Sequence, residues 1–301
     1  MKQGIPSITA EAVTALRAAE SLRPENERVC YDPLAREFIG TRFRLLVNSG
    51  FLRMVALWVV ERLVPGLAGD IIGRVRYIDD YLRECIAAGI DQLVILGAGY
   101  DSRAYRFDGL DGKVKVFEVD HPATQKVKMA KVKKIFGSLP GNVAYVPIDF
   151  EREKLDRLFE SGYEKNLKTC FIWEGVTMYL TPQAVDDTLT FVANNSGKDS
   201  CIIFDYLFKS FVDGTSEMEG VQRIEAVRKA YELLDEPLTD EPFTFGIEEG
   251  NIGEFLSQKG FWQIEEVTGE YLENAYFRGV GHGRRVLRLC GFVHAAVKAK
   301  Q

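Results

Sequence analysis

The fold of this chain is decided by one nine-residue segment, Leu93-Val94-Ile95-Leu96-Gly97-Ala98-Gly99-Tyr100-Asp101. Its first four residues form a short apolar run that is typical of a buried strand. Glycine at positions 97 and 99 permits a tight turn and lets backbone N–H groups approach a ligand closely. The dinucleotide-binding fingerprint needs a third glycine at position 102, where this chain has Ser102. The segment therefore predicts a strand followed by a ligand-binding turn, with a simple chain reversal as the alternative.

Further short apolar runs alternate with helical segments after residue 88, as in parallel sheets joined by crossover helices. The seven strand candidates are Gln92–Leu96, Val114–Val119, Val143–Ile148, Cys170–Trp173, Ser200–Phe204, Trp262–Val267 and Val286–Val297. Before residue 88 the apolar residues recur at three- and four-residue steps, which predicts helices. These helices are expected at Ala12–Ala19, Leu34–Phe38, Phe51–Leu63 and Val75–Ala87. The pattern predicts an α/β fold with a doubly wound sheet and a helical N-terminal cap.

We expect a single domain over residues 1–301, because no Pro/Gly/Ser-rich linker interrupts the chain. Residues 1–88 would form the helical cap, and residues 89–301 the core. The stretch Phe208–Thr244 is charged, has helical periodicity and is longer than a simple crossover, so we expect a helical lid insertion at about residues 208–250. The apolar run Met54–Val60 is expected in the core of the cap, with the wall of an apolar substrate pocket as the alternative.

Composition and charge exclude several classes of function. The formal net charge is -6 and the isoelectric point is near 5.4, so no overall positive field attracts nucleic acid or an anionic membrane, and we expect neither partner. No apolar run approaches the roughly 20 residues of a membrane span, and no secretory signal is evident, which favours the cytoplasm. The five cysteines contain no C-x-x-C pair, so we expect neither disulfides nor a metal site. They are Cys30, Cys85, Cys170, Cys201 and Cys290.

Acidic residues stand at the ends of the strands that follow the glycine turn. Glu118 and Asp120 lie about 20 residues past the glycines, the spacing at which a carboxylate binds a ribose diol. A two-residue step places both on one face of the strand, so either of them can take this role. Asp149 and Phe150 end the next strand and suit an adenine, although Asp149 is almost equally suited to cap a helix expected at Glu151–Phe159.

Glu174 adds a third acidic strand end, after the apolar run of residues 170–173. The carboxyl ends of parallel strands meet at one rim, where doubly wound folds bind their ligands. A rim with a glycine turn and several acids complements a cofactor that carries a ribose, an adenine and cationic centres. S-adenosylmethionine has all three, because its sulfonium and ammonium are positive. We therefore expect S-adenosylmethionine as the cofactor, with an NAD(P)-dependent oxidoreductase or a non-catalytic cofactor-binding module as alternatives.

Five motifs occur in order along the chain: Asn26–Phe38, Arg74–Asp79, Leu96–Arg103, Glu118–Pro122 and Trp173–Leu180. Together they resemble the leucine carboxyl methyltransferase family, and within it the microbial branch of S-adenosylmethionine-dependent methyltransferases. The resemblance implies a seven-stranded, Rossmann-like methyltransferase fold whose last strand is antiparallel. It does not extend to the partner-binding regions of the eukaryotic phosphatase-modifying enzymes, so a protein phosphatase is not the expected substrate.

The resemblance also implies roles for single residues. The cofactor-binding residues that it implies are Arg74, Gly97, Gly99, Asp120, Asp149, Phe150 and Glu174. Asp120 would bind the ribose, and Asp149 with Phe150 would bind the adenine. Arg74 would bind the methionine carboxylate, and Glu174 would lie beside the methionine amine.

We expect the methyl group to be transferred to an oxygen of a small-molecule metabolite, either a carboxyl or a hydroxyl. In-line displacement requires the acceptor atom to be held about 3–3.5 Å from the methyl carbon. A carboxylate needs no general base for this step, whereas a hydroxyl does. No single catalytic base stands out in the sequence, and Tyr179 is the candidate for positioning the acceptor. The oligomeric state is not indicated by any pattern in the chain.

Overall fold

A computed structural model of the protein describes residues 8–110, 112–216, 221, 242–279 and 283–298. Its strands are β1 (Gln92–Leu96), β2 (Lys115–Asp120), β3 (Val143–Pro147), β4 (Thr169–Trp173), β5 (Cys201–Leu207), β6 (Phe261–Thr268) and β7 (Cys290–Val297). They form one sheet in the order β3-β2-β1-β4-β5-β7-β6. The first five strands pair in parallel, and β7 is antiparallel to both of its neighbours. The seven-stranded α/β fold with an antiparallel last strand is thus confirmed.

Helices precede the sheet and alternate with its strands. Those before the sheet are α1 (Ile8–Ser21), α2 (Ala35–Phe38), α3 (Thr41–Asn48), α4 (Gly50–Leu63) and α5 (Leu67–Ala87). Those that follow are α6 (Arg103–Arg106), α7 (Pro122–Phe136), α8 (Arg157–Glu160), α9 (Pro182–Asn194), α10 (Lys209–Val212), α11 (Ile252–Ser257) and α12 (Gly269–Leu272). Short 3-10 turns lie at Asp108–Leu110 and Thr177–Tyr179, and a π-helical turn at Glu273–Phe277.

Strand β1 is buried on both faces, because helices cover both sides of the sheet. Leu93 and Ile95 pack in one apolar cluster with residues of α5. Val94 and Leu96 point the other way and pack in a second cluster with residues of α9. Side chains alternate between the faces of a strand, so a continuous apolar run is what a central parallel strand requires. This burial fixes where β1 ends and therefore where the glycine turn lies.

Two of the expected helical features are absent from the described residues. No side chain of α4 is buried, so the expectation that Met54–Val60 forms cap core is wrong. The helix expected at Glu151–Phe159 is also wrong, because a turn follows Asp149 and only the four-residue α8 is helical there. In both segments the prediction was based on the periodicity of apolar residues, and periodicity alone does not show which part of the protein a segment packs against.

The region between β5 and α11 is described only in part. Residues 217–220 and 222–241 of the expected lid lie outside the described residues. Of the remainder, α10 is helical, whereas residues 213–216 and 242–244 are not. A single parallel bridge pairs Phe208 with Ile247, which holds the two ends of the insertion together.

No single helix in the described ranges has the length and apolar character of a membrane span. Only α3 and α4 taken together meet those criteria, and these two helices meet at a bend of 102°.

Replacing Phe117 by alanine tests the packing of the central strands. Phe117 on β2 is fully buried, so Phe117→Ala should lower the free energy of unfolding by about 3–5 kcal/mol. The control Phe51→Ala removes the same side chain from the exposed face of α4 and should change it by less than about 0.5 kcal/mol. Urea titrations of the two variants measure both values. Equal losses would contradict the assignment of Phe117 to the core and of Phe51 to the surface.

Candidate cofactor site

A cavity of about 380 Å³ lies at the carboxyl edge of the parallel strands. This volume falls in the range of small-molecule sites. All eight residues named from the sequence line the cavity: Arg74, Gly97, Gly99, Asp120, Asp149, Phe150, Glu174 and Tyr179. The structure therefore brings the predicted residues together, whereas the role of each one stays a prediction.

The glycine turn after β1 forms one wall of the cavity. Gly97 and Gly99 have φ angles of +66° and +42°, a region that favours glycine. A Cβ atom at position 97 would lie 2.3 Å from a Cγ atom of Val176, which is too close for any side chain. Backbone conformation and space both require glycine at position 97, so the turn can bring its backbone close to a ligand.

Asp120 ends β2 and fixes the glycine turn. Its Oδ2 atom accepts a hydrogen bond from the backbone N–H of Gly99 at 2.5 Å, and its Oδ1 atom accepts one from the N–H of His121 at 2.6 Å. Burial raises the pKa of Asp120 to about 6, although these two N–H donors oppose the shift. Each carboxylate oxygen has more than one lone pair, so Asp120 retains acceptor capacity for a diol.

Glu118, the other candidate for the ribose, does not line the cavity. It is fully buried, and its Oε1 atom lies 2.8 Å from the Nζ atom of Lys128 on α7. Burial raises the pKa of Glu118 to about 7. The two acids share a strand face, but only Asp120 reaches the cavity, because Lys128 holds Glu118 against α7.

Asp149 and Phe150 lie in the turn after β3. The Oδ1 atom of Asp149 accepts a hydrogen bond from the N–H of Glu151 at 3.1 Å, which stabilises this turn rather than the start of a helix. The ring of Phe150 is stacked 6.5 Å from the ring of Trp173, with 26° between the planes. An acceptor and an apolar ring face are thus adjacent in this part of the cavity, and an adenine requires both.

At the opposite part of the cavity, Arg74 on α5 joins two acids. Its Nε atom donates to Oε1 of Glu174 at 3.0 Å, and its Nη1 atom donates to Oδ2 of Asp205 at 2.8 Å. The other oxygen of Asp205 accepts from the N–H of Gly175 at 2.6 Å. Asp205 is fully buried within β5 and was not predicted, since it interrupts an apolar run without any motif.

Arg103, at the start of α6, is a second buried guanidinium that sequence reasoning missed. It donates to Oε2 of Glu174 at 2.7 Å, to Oδ2 of Asp101 at 2.5 Å and to Oδ1 of Asp79 at 2.7 Å. Burial alone would raise the pKa of Glu174, but Arg103 and Arg74 outweigh it and hold the pKa below its usual value. Arg103 and Asp79 each end one of the five motifs, which is the signal that could have identified them.

Three buried cysteines also come together, at the amino ends of β4 and β5. The sulfur atoms of Cys85, Cys170 and Cys201 lie within 4.8 Å of one another, and those of Cys85 and Cys201 are 3.5 Å apart. All five cysteines of the chain are free thiols. The sequence spacing gave no indication of this cluster, because its members belong to three distant elements.

The lining groups fit S-adenosylmethionine. In such a complex the glycine turn would lie against the nucleoside, Asp120 would offer an acceptor for the ribose, and Phe150 would offer a ring face for the adenine. Arg74 and Glu174 are opposite charges that match a methionine carboxylate and amine. When bound, this cofactor supplies a methyl group activated by a positively charged sulfur.

Comparisons with known proteins agree with this fit. The model of the leucine carboxyl methyltransferase family matches residues 10–193. A Bacillus subtilis protein named "Putative S-adenosyl-L-methionine-dependent methyltransferase YktD" is 30% identical over 316 residues, which cover 99% of this chain and 100% of the relative. A relative from Mycolicibacterium smegmatis is described as a "Putative S-adenosyl-L-methionine-dependent methyltransferase". It is 30% identical over 260 residues, which cover 85% of this chain and 81% of the relative.

A solved structure shows the same fold. It is the structure of a "putative methyltransferase" from Thermobifida fusca. The superposition covers 99% of this chain and 97% of the other chain, with a TM-score of 0.60 and 14% sequence identity. Fold, site and relatives together define a Rossmann-like, S-adenosylmethionine-dependent methyltransferase. Within that class, the chain belongs to the leucine carboxyl methyltransferase family. The oxidoreductase alternative is therefore not retained.

Replacing Asp120 by asparagine tests the ribose role. Asp120→Asn removes the charge from an acceptor that we expect to bind the diol, at a cost of about 1.5–3 kcal/mol, so affinity for S-adenosylhomocysteine should fall about tenfold or more. Glu118→Gln is the matched control. It should leave that affinity within about twofold and instead lower the stability, because Lys128 loses its buried partner. Calorimetric titration measures the affinities; a larger loss in Glu118→Gln would move the ribose to Glu118.

The raised pKa of Asp120 predicts a pH-dependent affinity. Only the ionised carboxylate can accept both diol hydrogen bonds, so binding of S-adenosylhomocysteine should weaken as the pH falls through about 6. The loss should continue below that pH until the carboxyl is protonated in the complex as well. The Asp120→Asn variant carries no titratable group there and should lose this dependence. A wild-type affinity that stays constant between pH 7 and 5 would contradict the prediction.

Proposed function

We propose that the chain transfers the methyl group of S-adenosylmethionine to an oxygen of a small-molecule metabolite, and that the acceptor is a carboxylate. One observation carries the choice of a carboxylate over a hydroxyl. The carboxylates at the Arg74 end of the cavity are already engaged by guanidinium groups, so none of them is placed to accept a proton.

Glu174 is the candidate for a general base at the Arg74 end of the cavity, but it is poorly suited to that role. Both of its oxygens accept hydrogen bonds from arginines, and these arginines lower its pKa. A hydroxyl acceptor needs a base with a free lone pair and a pKa near the working pH. A carboxylate acceptor is already an anion at neutral pH and needs no proton transfer. Such an acceptor is consistent with a site whose carboxylates are bonded to arginines.

Tyr179 is the residue that we propose to position the acceptor. It lines the cavity in the turn after β4, two residues beyond the buried Thr177. Its ring lies 5.5 Å from the ring of Phe243, which belongs to the returning end of the insertion. This contact joins the rim of the sheet to the segment that we propose as a lid.

We further propose that α1 and the insertion close the acceptor side of the cavity. Residues of α1 line the cavity, among them Val13 and Arg17, and Pro242 lines it from the insertion. Closure keeps water away from the reacting centre during methyl transfer. This arrangement supports one domain in which the helical cap and the lid select the acceptor. The free thiols of the chain suit a reducing cytoplasm.

Labelling the product tests the proposed reaction. The purified chain is incubated with methyl-labelled S-adenosylmethionine and a metabolite extract, and the labelled product is then treated with mild base. We expect label to be released as methanol, because esters hydrolyse under these conditions whereas ethers and N-methyl groups do not. Base-stable label would contradict the carboxylate acceptor, and label on no product would favour a non-catalytic binding module.

The variant Tyr179→Phe tests positioning once an acceptor is identified. It keeps the ring next to Phe243 but removes the hydroxyl, so kcat/KM should fall by about tenfold while the affinity for S-adenosylhomocysteine stays unchanged. Phe243→Leu is the control for the ring contact alone. An unchanged kcat/KM in Tyr179→Phe would remove this residue from the acceptor site.

A further inference from the structure

Exposed apolar side chains are concentrated on α3 and α4. Of the fifteen large hydrophobic residues that are exposed in the described part of the chain, nine lie between positions 45 and 63. These nine, which we call the α3–α4 surface, are Leu45, Leu46, Phe51, Leu52, Met54, Val55, Trp58, Val59 and Leu63. An exposed apolar surface of this kind marks a site of interaction rather than ordinary solvent-facing protein.

The orientation of α4 explains why this surface is exposed. Its half-buried residues recur at positions 53, 56, 57 and 60, the helical spacing of the face that packs on α5. The opposite face carries Phe51 and Trp58, whose side chains are 70% and 65% exposed. A surface helix normally turns polar residues to the solvent, so α4 has an apolar face with no partner in the described chain.

The charges around this face have one predominant sign. Residues 36–64 contain five arginines and two glutamates, a formal charge of +3 in a chain whose net charge is -6, and one of these arginines, Arg44, is paired with Glu37 at 3.1 Å. Arg42 near the start of α3 and Arg62 near the end of α4 are both exposed. Arg53 donates to the carbonyl oxygen of Val47 at 2.7 Å, which holds the two helices at their bend. The local surface therefore complements an anionic partner that also has an apolar layer.

We propose that the α3–α4 surface binds the headgroup region of an anionic lipid bilayer, with α4 lying along the interface. Aromatic and aliphatic side chains enter the boundary of the acyl chains, and the arginines contact anionic headgroups. With 14 residues, α4 is too short to span the bilayer, so the protein binds one leaflet. The earlier expectation of no membrane partner relied on the net charge of the whole chain, which conceals this local positive region.

A second copy of the chain is a less suitable occupant. A two-fold symmetric contact places the same patch on both subunits, so it would bring two surfaces of charge +3 together. Like charges across an interface oppose association. A lipid leaflet supplies the opposite charge and imposes no demand for shape complementarity.

Co-sedimentation of the full chain with vesicles tests the proposal. One vesicle contains phosphatidylcholine alone, and the other contains phosphatidylcholine mixed with phosphatidylglycerol. We expect binding to the mixed vesicle, much weaker binding to the neutral one, and weaker binding to the mixed vesicle at raised salt. The double variant Met54→Ser/Trp58→Ser should reduce binding to the mixed vesicle by about tenfold or more.

Trp262→Ser is the matched control, because Trp262 is also exposed but lies on β6, outside the α3–α4 surface. It should bind the mixed vesicle as the unmodified chain does. Melting temperature and affinity for S-adenosylhomocysteine show whether each variant is folded. Equal binding to both vesicles, binding to neither, or equal losses in both variants would overturn the proposal. It would also be overturned by a stable dimer in sedimentation velocity that the double variant dissociates.

Discussion

The ion pairs that Glu174 makes with two buried arginines determine how the cavity is built. Arg74 comes from α5, Arg103 from the start of α6, and Glu174 from the end of β4. Asp205 on β5 continues the network, so the cap helix is joined to three neighbouring strands through side chains that solvent hardly reaches. Breaking a buried pair by removing one partner typically costs about 3–5 kcal/mol, because the remaining charge stays in the interior. The relative positions of the strand ends therefore depend on these contacts.

The same network determines the chemical character of the site. Two guanidinium groups lower the pKa of Glu174 despite its burial, so this carboxylate is a fixed negative charge at this end of the cavity. Fixed charges suit a zwitterionic methionine group, which needs opposite charges at defined positions. Asp120 differs, because it lacks an arginine partner and its pKa is raised by burial. The rim thus contains one carboxyl, Glu174, whose pKa is lowered and another, Asp120, whose pKa is raised.

The sequence predicted the sheet well because β1 and β4, at its centre, contain continuous apolar runs, and short apolar runs alternate with helical segments in the rest of the core. It also predicted the acidic rim, since carboxyl ends of parallel strands meet at one edge. It did not predict which acid pairs with which arginine. Glu118 and Asp120 were indistinguishable by spacing, and only the position of Lys128 on α7 separates them.

Sequence periodicity also failed for α4, and the physical reason is instructive. An apolar helix has the same pattern whether it packs in a core or faces a hydrophobic environment outside the chain. Asp205 was missed for a related reason. It is a single acid in the run Cys201–Leu207, and nothing in the sequence indicates that it pairs with Arg74, which lies 131 residues earlier. Pairing between distant elements is a property of the folded chain.

Helix α1 has two simultaneous contacts with the site. Its residues line the cavity, and Arg17 donates to the carbonyl oxygen of Tyr100 at 2.7 Å, directly after the glycine turn. These contacts connect the cap directly to the glycine turn. Coupling of this kind is reciprocal. If the bound cofactor stabilises the docking of α1 by a given free energy, the docking of α1 stabilises cofactor binding by the same free energy. Cofactor affinity is thus linked to the docking of α1, a helix that contains none of the residues predicted to bind the cofactor.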